Sequence, residues 1–354
     1  MKTRLFFAAL AIGTLMVSGK GVAQDFPYQV FERYLEPLAQ GIGLPGLSAI
    51  IGRNNRVEWF RDYGFADAEN RIPANIDQTL YAVGGVTQAV TAVLVGVCAD
   101  RFRFDIDQPI RDFVPTFPQN VSIRHVLAHA SDSRYRYDPA GYAALTRVVE
   151  VCMQMPYRVA VATEVLDRSP GMPSSVPGSD FSRPEGAAAR ELFEPRVVGI
   201  YQSLLAKLAV PYRIDRSRYS RSEYPGYGMD GATGLVATAR DIANFEFSLD
   251  RGLAVSRSTL NQMWSQALVM DGNGVRIPTP TGIGWFVQNA SGEPLVWTFG
   301  HIPGASSALI VKMPRKNLTL ILLSNSDGLA AGYNFEQGDV TTSPFVKVFL
   351  RLFI

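Results

Sequence analysis

Strand-like runs sit near both ends of this chain with helical patterns between them, and that arrangement limits the folds open to it. Gly46–Arg53 and Val57–Gly64 are rich in β-forming residues and meet at Asn54-Asn55, a strong hairpin signal. Gly284–Val287, Leu295–Phe299, Ala308–Lys312 and Leu318–Leu323 read as successive strands, the last two joined by Pro314-Arg315-Lys316-Asn317. Short connections of this kind favour antiparallel neighbours. From Val86 the apolar positions Val86, Ala89, Val90, Val93, Leu94 and Val97 fit one helical face, and helix and loop patterns continue to about Tyr227. An amphipathic helix is expected over Phe26–Gln40 and a closing helix over Phe345–Phe349. The expected class is α/β in the α+β sense. Residues 24–85 and 228–354 would build an antiparallel sheet domain with flanking helices, residues 86–227 an inserted helical domain, and a cleft would run between them.

Composition narrows the function. The chain has 354 residues, 47% hydrophobic and 19% charged, enough for a sizeable soluble core. Residues 1–23 read as a secretory signal, with Lys2 and Arg4 at the start, the apolar run Leu5–Val17, and a small-residue cleavage site at Gly21-Val22-Ala23. An exported protein, periplasmic or secreted, is expected, with no membrane span once the signal is removed. Removing Lys2, Arg4 and Lys20 from the 34 basic residues leaves 31 against 32 acidic ones, a net charge near −1. Such a balance gives no electrostatic case for nucleic acid. His125, His129 and His301 lack metal-ligand spacing with Cys or carboxylate partners, so neither a metal nor a cofactor is expected. Cys98 and Cys152, the two cysteines, are compatible with an exported disulfide or with buried thiols in apolar helices.

The segment Leu80–Ala92, Leu-Tyr-Ala-Val-Gly-Gly-Val-Thr-Gln-Ala-Val-Thr-Ala, resembles the nucleophile helix of the serine β-lactamase and penicillin-binding-protein family. That family carries Ser-x-x-Lys there, one helical turn apart. The Ser position holds Gly85 and the Lys position Gln88. Gly85 has no side chain, and Gln88 can hydrogen-bond but has no titrating proton near neutral pH. Losing the nucleophile of a serine hydrolase costs roughly 10⁶ in kcat. Thr87, rotated by about 200° from Gly85 on a helix, should point away from the cleft. Ser131 and Ser133 have no Lys or His at the spacing a nucleophile needs.

Further segments in the same order carry the resemblance. Phe104–Ile110 with Phe113-Val114-Pro115 is similar to the family's acidic-Asp-Pro helix exit, and Ile123–Ser131 to its Leu-Leu-x-His-Thr-Ser-Gly signature. Gly231–Asp241 is similar to its Gly-Leu-x-Ser-Thr-Ala-x-Asp segment. The family's Tyr-x-Asn matches Tyr137-Asp138-Pro139, with Tyr135 two residues away, and its His-x-Gly strand matches His301-Ile302-Pro303. The resemblance is closest to the class C-like branch of β-lactamases, esterases and DD-peptidases, and implies that branch's fold.

It also implies a site built from Gly85, Gln88, Tyr137, His301 and Ser306, with no complete catalytic set. Gly85 would enlarge the cleft floor and leave helix N–H groups open to an anion or carbonyl oxygen. The expected ligand is a small molecule, a peptide, a peptidoglycan-like fragment or a protein partner, bound without cleavage. The alternatives are an active hydrolase with a non-standard nucleophile and a scaffold that works through its outer surface.

Overall fold

A computed structural model describes residues 20–132, 134–168, 171–270 and 274–354. Residues 1–19 of the signal-like segment, and Ser133, lie outside the described residues. A helix, α1 (Lys20–Ile42), leads into the hairpin β1 (Gly46–Arg53) and β2 (Arg56–Asp67), then the short strands β3 (Ile72–Pro73) and β4 (Tyr81–Ala82). Asn54 and Asn55 both adopt positive φ, 50° and 61°, which is why this Asn pair makes the turn. The middle of the chain holds α2 (Val86–Phe102), α3 (Ile123–Leu127), α4 (Pro139–Met153), α5 (Tyr157–Val161), β5 (Val176–Pro177), α6 (Ala187–Arg190) and α7 (Pro195–Leu205). The hairpin β6 (Tyr212–Asp215) and β7 (Arg218–Arg221) follows, then β8 (Leu235–Ala237), α8 (Ala239–Asp250), α9 (Arg257–Met263), β9 (Leu268–Met270) and β10 (Arg276–Pro278). The chain closes with β11 (Phe286–Ala290), β12 (Glu293–Ile302), β13 (Ser306–Met313), β14 (Leu318–Ser324) and α10 (Pro344–Phe353).

Strands from both ends form one antiparallel sheet in the order β11-β12-β13-β14-β1-β2-β3. β1 and β14 pair at its centre, with Ile50 opposite Ile321. Side chains alternate between the faces of a strand, and the alternation here divides two cores. Leu47, Ala49, Ile51, Leu320 and Leu322 face a cluster with Phe31, Leu35, Phe345 and Phe349 of α1 and α10. Ile50, Ile310, Ile321 and Leu323 face the opposite cluster, with α2 and α8.

One detail departs from the sequence expectation and another settles a point it left open. Every residue of α2 from Val86 to Cys98 is buried, so the apparent one-faced pattern is a helix apolar all round, packed in the middle of the molecule. Cys98 and Cys152, left open above, form a disulfide with Cα atoms 6.2 Å apart, joining α2 to α4. Closing a loop of 54 residues stabilises the fold by about 4 kcal/mol in the chain-entropy view.

A buried ionic group ties the sheet to α8. Lys312 on β13, 2% exposed, contacts Glu246 Oε2 and Asp250 Oδ1, both at 2.9 Å, and lies 4.8 Å from the Trp264 ring centre. Burial opposes the Lys312 charge, but its two carboxylate partners outweigh that and raise its pKa.

Candidate functional site

The residues matched to the catalytic helix lie where β4 ends and α2 begins. Val83 N–H donates to the Leu235 carbonyl, fixing β4 beside β8, and Gly84 turns the chain with φ +52° into Gly85, the N-cap of α2. β12 runs alongside. Gly300 has no room for a side chain, because a Cβ there would meet the Val83 carbonyl oxygen.

Gly85 is similarly enclosed. A Cβ built on it would lie 2.8 Å from the Phe299 carbonyl oxygen and 2.9 Å from the Tyr137 hydroxyl, closer than real Cβ atoms come to such neighbours. The Gln88 amide donates to that hydroxyl at 3.0 Å. The structure thus brings Gly85, Gln88 and Tyr137 together. It also separates the two tyrosines that the sequence leaves confusable, since Tyr135 donates instead to the Glu336 carbonyl at 2.7 Å.

The Tyr137 ring lies 5.3 Å from Phe299, 4.8 Å from His129 and 6.3 Å from Phe286, centre to centre. Beneath it, between Gln88, His129, Phe286 and Phe299, remains a void of about 10 Å³. That void is about large enough for a single water molecule. With no side chain at Gly85, the tyrosine hydroxyl packs 2.9 Å from where a Cβ would stand.

The titrating groups here are ill suited to proton transfer. Burial pushes the Tyr137 hydroxyl well above the ordinary tyrosine range, and only the Gln88 amide opposes that shift directly. His129 is buried, its Nδ1 accepts the Asp138 N–H at 3.0 Å, and burial lowers its pKa to about 3. It is therefore a neutral imidazole packed between Tyr137 and Tyr142, with its ring tilted to both. His125 caps α3, with Ser122 N–H donating to its Nδ1 at 3.1 Å.

The other expected residues divide. His301 is half-buried near the end of β12, opposite Ser307, and its imidazole makes no hydrogen bond among the described residues. Ser306 is fully buried and donates to the Ala82 carbonyl at 2.7 Å. The expectation that it meets a ligand fails on that geometry, since its hydroxyl ties β13 to β4. Thr87 Oγ1 accepts from Leu235 N–H at 3.2 Å and points away from Gly85, as its helical rotation requires. Ser131 Oγ is buried without a hydrogen-bond partner among the described residues. Among the described residues no group of three or more His, Cys, Asp or Glu could hold a metal ion.

The order of these segments has a counterpart in known proteins. The Beta-lactamase family model matches residues 31–337. The chain belongs to that family. Over 109 residues it is 25% identical to the Homo sapiens serine beta-lactamase-like protein LACTB, mitochondrial, covering 28% of this chain and 20% of that one. Over 129 residues it is 26% identical to a beta-lactamase of Providencia stuartii, covering 35% of this chain and 32% of that one. The chain thus spans about a third or less of the length of these curated relatives.

Likeness in fold runs further. The penicillin-binding protein of Bacillus halodurans matches with a TM-score of 0.68 at 16% identity, over 90% of this chain and 99% of that one. An octameric penicillin-binding protein homologue from Pyrococcus abyssi matches with a TM-score of 0.67 at 19% identity, over 85% of this chain and 74% of that one. These likenesses establish the beta-lactamase and penicillin-binding-protein fold.

In this beta-lactamase-family chain a second surface adjoins the end of β12, and the sequence reading missed it. Residues 179–184, 205–211 and 221–227 surround a groove of about 790 Å³. A neighbouring hollow of about 360 Å³ shares Arg221, Ser222 and Glu223 with it and reaches Pro303 and Gly304. The available signal was the density of arginines at positions 213, 216, 218 and 221. No helix among the described residues is long and apolar enough to cross a membrane.

Proposed function

We propose that this protein is an exported, non-hydrolytic member of the beta-lactamase family that works by binding a peptide, a cell-wall fragment or a protein partner without cleaving it. One observation carries the reading: Gly85, at the position matched to the nucleophile, has no side chain to attack with, and the nearest side-chain groups are the Tyr137 hydroxyl, 2.9 Å from where its Cβ would stand, and the Gln88 amide that donates to that hydroxyl. Acyl transfer needs an attacking oxygen and a base within hydrogen-bond reach. The described residues around Gly85 offer a carboxamide, a phenol pushed up in pKa and a neutral imidazole. Binding at the rim of the former site would use the half-buried His301 and the Gly85 N–H, which donates to no described group. The signal-like residues 1–23 and the Cys98–Cys152 disulfide support export, since disulfides persist in oxidising compartments.

Turnover tests this directly. The purified protein should leave a chromogenic cephalosporin and a chromogenic ester uncleaved above the buffer rate. Cleavage that copurifies with the protein and disappears on heat unfolding would instead support the active-hydrolase alternative.

A further inference from the structure

The groove beside the β12–β13 turn is built as a binding site rather than left as a gap between loops. Its three walls are cross-linked. Arg158 holds Asp180 through two contacts at 2.6 and 2.9 Å, Ser179 N–H donates to the Tyr227 carbonyl at 2.8 Å, and the Tyr224 hydroxyl donates to the Ala209 carbonyl at 3.0 Å. Ser222 Oγ donates to the Gly304 carbonyl at 2.6 Å, which joins the groove to the turn after β12. A pre-ordered wall lowers the entropic cost of ligand binding.

The charges inside are unbalanced. Arg183 stacks on the Tyr227 ring, 3.3 Å from its centre, and has no carboxylate partner among the described residues. Arg213, exposed in the adjoining hollow, forms neither a hydrogen bond nor an ion pair there. Arg221 meets Glu69 at 3.4 Å, with both side chains largely exposed. Against these three guanidinium groups the lining supplies one carboxylate, Glu223, which pairs with no cation.

Guanidinium groups take carboxylates in a two-pronged geometry, and a stacked one is already oriented. An unpaired carboxylate among them disfavours a uniform polyanion and suits a ligand that also carries an ammonium group. The space lies within the range of sites for small molecules and short peptides. We propose that this groove binds a short acidic peptide, with its carboxylates on Arg183, Arg213 and Arg221 and its amine toward Glu223. The inference goes beyond the non-hydrolytic reading and stands whether or not Gly85 has silenced the enzyme.

Calorimetric titration of the whole protein with the tripeptide Glu-Ala-Glu, both termini free, tests it. Saturable binding is expected, weakening with salt and falling at least about tenfold in each of Arg213→Ala and Arg221→Ala. Arg213 makes no contact that folding needs, so Arg213→Glu serves as a second variant, with its denaturant midpoint matched to the native protein. Absence of saturable binding, equal affinity in these variants, or equally tight binding of citrate would overturn the proposal. Mass spectrometry of the recovered peptide keeps the two readings apart. Cleaved peptide would contradict the non-hydrolytic reading and leave the groove standing, whereas intact peptide that never bound would remove the groove alone.

Discussion

The Tyr137 hydroxyl accepts the Gln88 amide at 3.0 Å and lies 2.9 Å from where a Gly85 side chain would begin. The two substitutions in the catalytic helix and the position of this tyrosine thus form one arrangement. Gly85 gives the hydroxyl room, and Gln88 supplies the donor that holds it there. Lys in place of Gln88 would put a charge beside a buried ring packed against Phe299 and His129, where desolvation disfavours it.

Restoring serine alone should therefore be costly. Gly85→Ser forces either Tyr137 or the Phe299 backbone to move, and overpacking of this kind costs about 1–3 kcal/mol. Tyr137→Phe in the same chain removes the oxygen that crowds the new Cβ and should recover part of that loss. Denaturant unfolding of the two single variants and the double variant measures the coupling. Strict additivity would show that the hydroxyl does not occupy this space in solution.

Asp241 carries a pH signature. It is buried at the start of α8, where Oδ2 accepts from Ser174 N–H at 2.7 Å and Ser175 Oγ at 2.8 Å. Burial raises its pKa from 3.8 to about 6 despite these donors. Between those values the folded protein keeps the proton and the unfolded chain does not. This group's contribution to stability is then full below the lower value and is lost as pH rises toward the upper one, by at most about 3 kcal/mol. Unfolding of the native protein and Asp241→Asn at about pH 4 and about pH 7 should show a smaller decline in the variant. Identical declines would contradict the assignment.

The Lys312 group should behave as a buried ion pair. Lys312→Met strands Glu246, which is 0% exposed, and should cost about 3–5 kcal/mol. Adding Glu246→Leu removes the stranded charge and should regain most of that loss. Equal destabilisation in the single and double variants would show that packing, not charge, sets the cost.

The disulfide gives a covalent test. Native protein isolated without reductant should expose no titratable thiol even when unfolded, and Cys98→Ala/Cys152→Ala should lose about 4 kcal/mol. Two thiols reacting in the unfolded, unreduced chain would contradict the pairing.

Local patterns in the sequence were legible and non-local ones were not. The strands β1, β13 and β14 follow from short runs of apolar, β-forming residues bounded by turn signals, and the hairpin at Asn54-Asn55 from turn chemistry that one dipeptide carries. Gly85 and Gln88 were visible because the motif spans a single helical turn. Tyr135 and Tyr137 share a periodicity, so only the folded loop separates them. Ser306 misled because its direction depends on β13 meeting β4, a strand 224 residues away by side-chain partner. The one-faced reading of α2 failed for a similar reason, since its second apolar face becomes a core only when α4 and α5 pack on it. The groove draws on three separated segments, which no spacing rule connects.

The most direct measurement is the intact mass of the purified protein after incubation with a fluorophosphonate and with a penicillin, beside Gly85→Ser/Gln88→Lys/Tyr137→Phe. The predicted result is an unmodified native protein, with any adduct confined to the restored variant and carried on residue 85. A stoichiometric adduct on the native chain would contradict the non-hydrolytic account, and the labelled peptide would name the nucleophile.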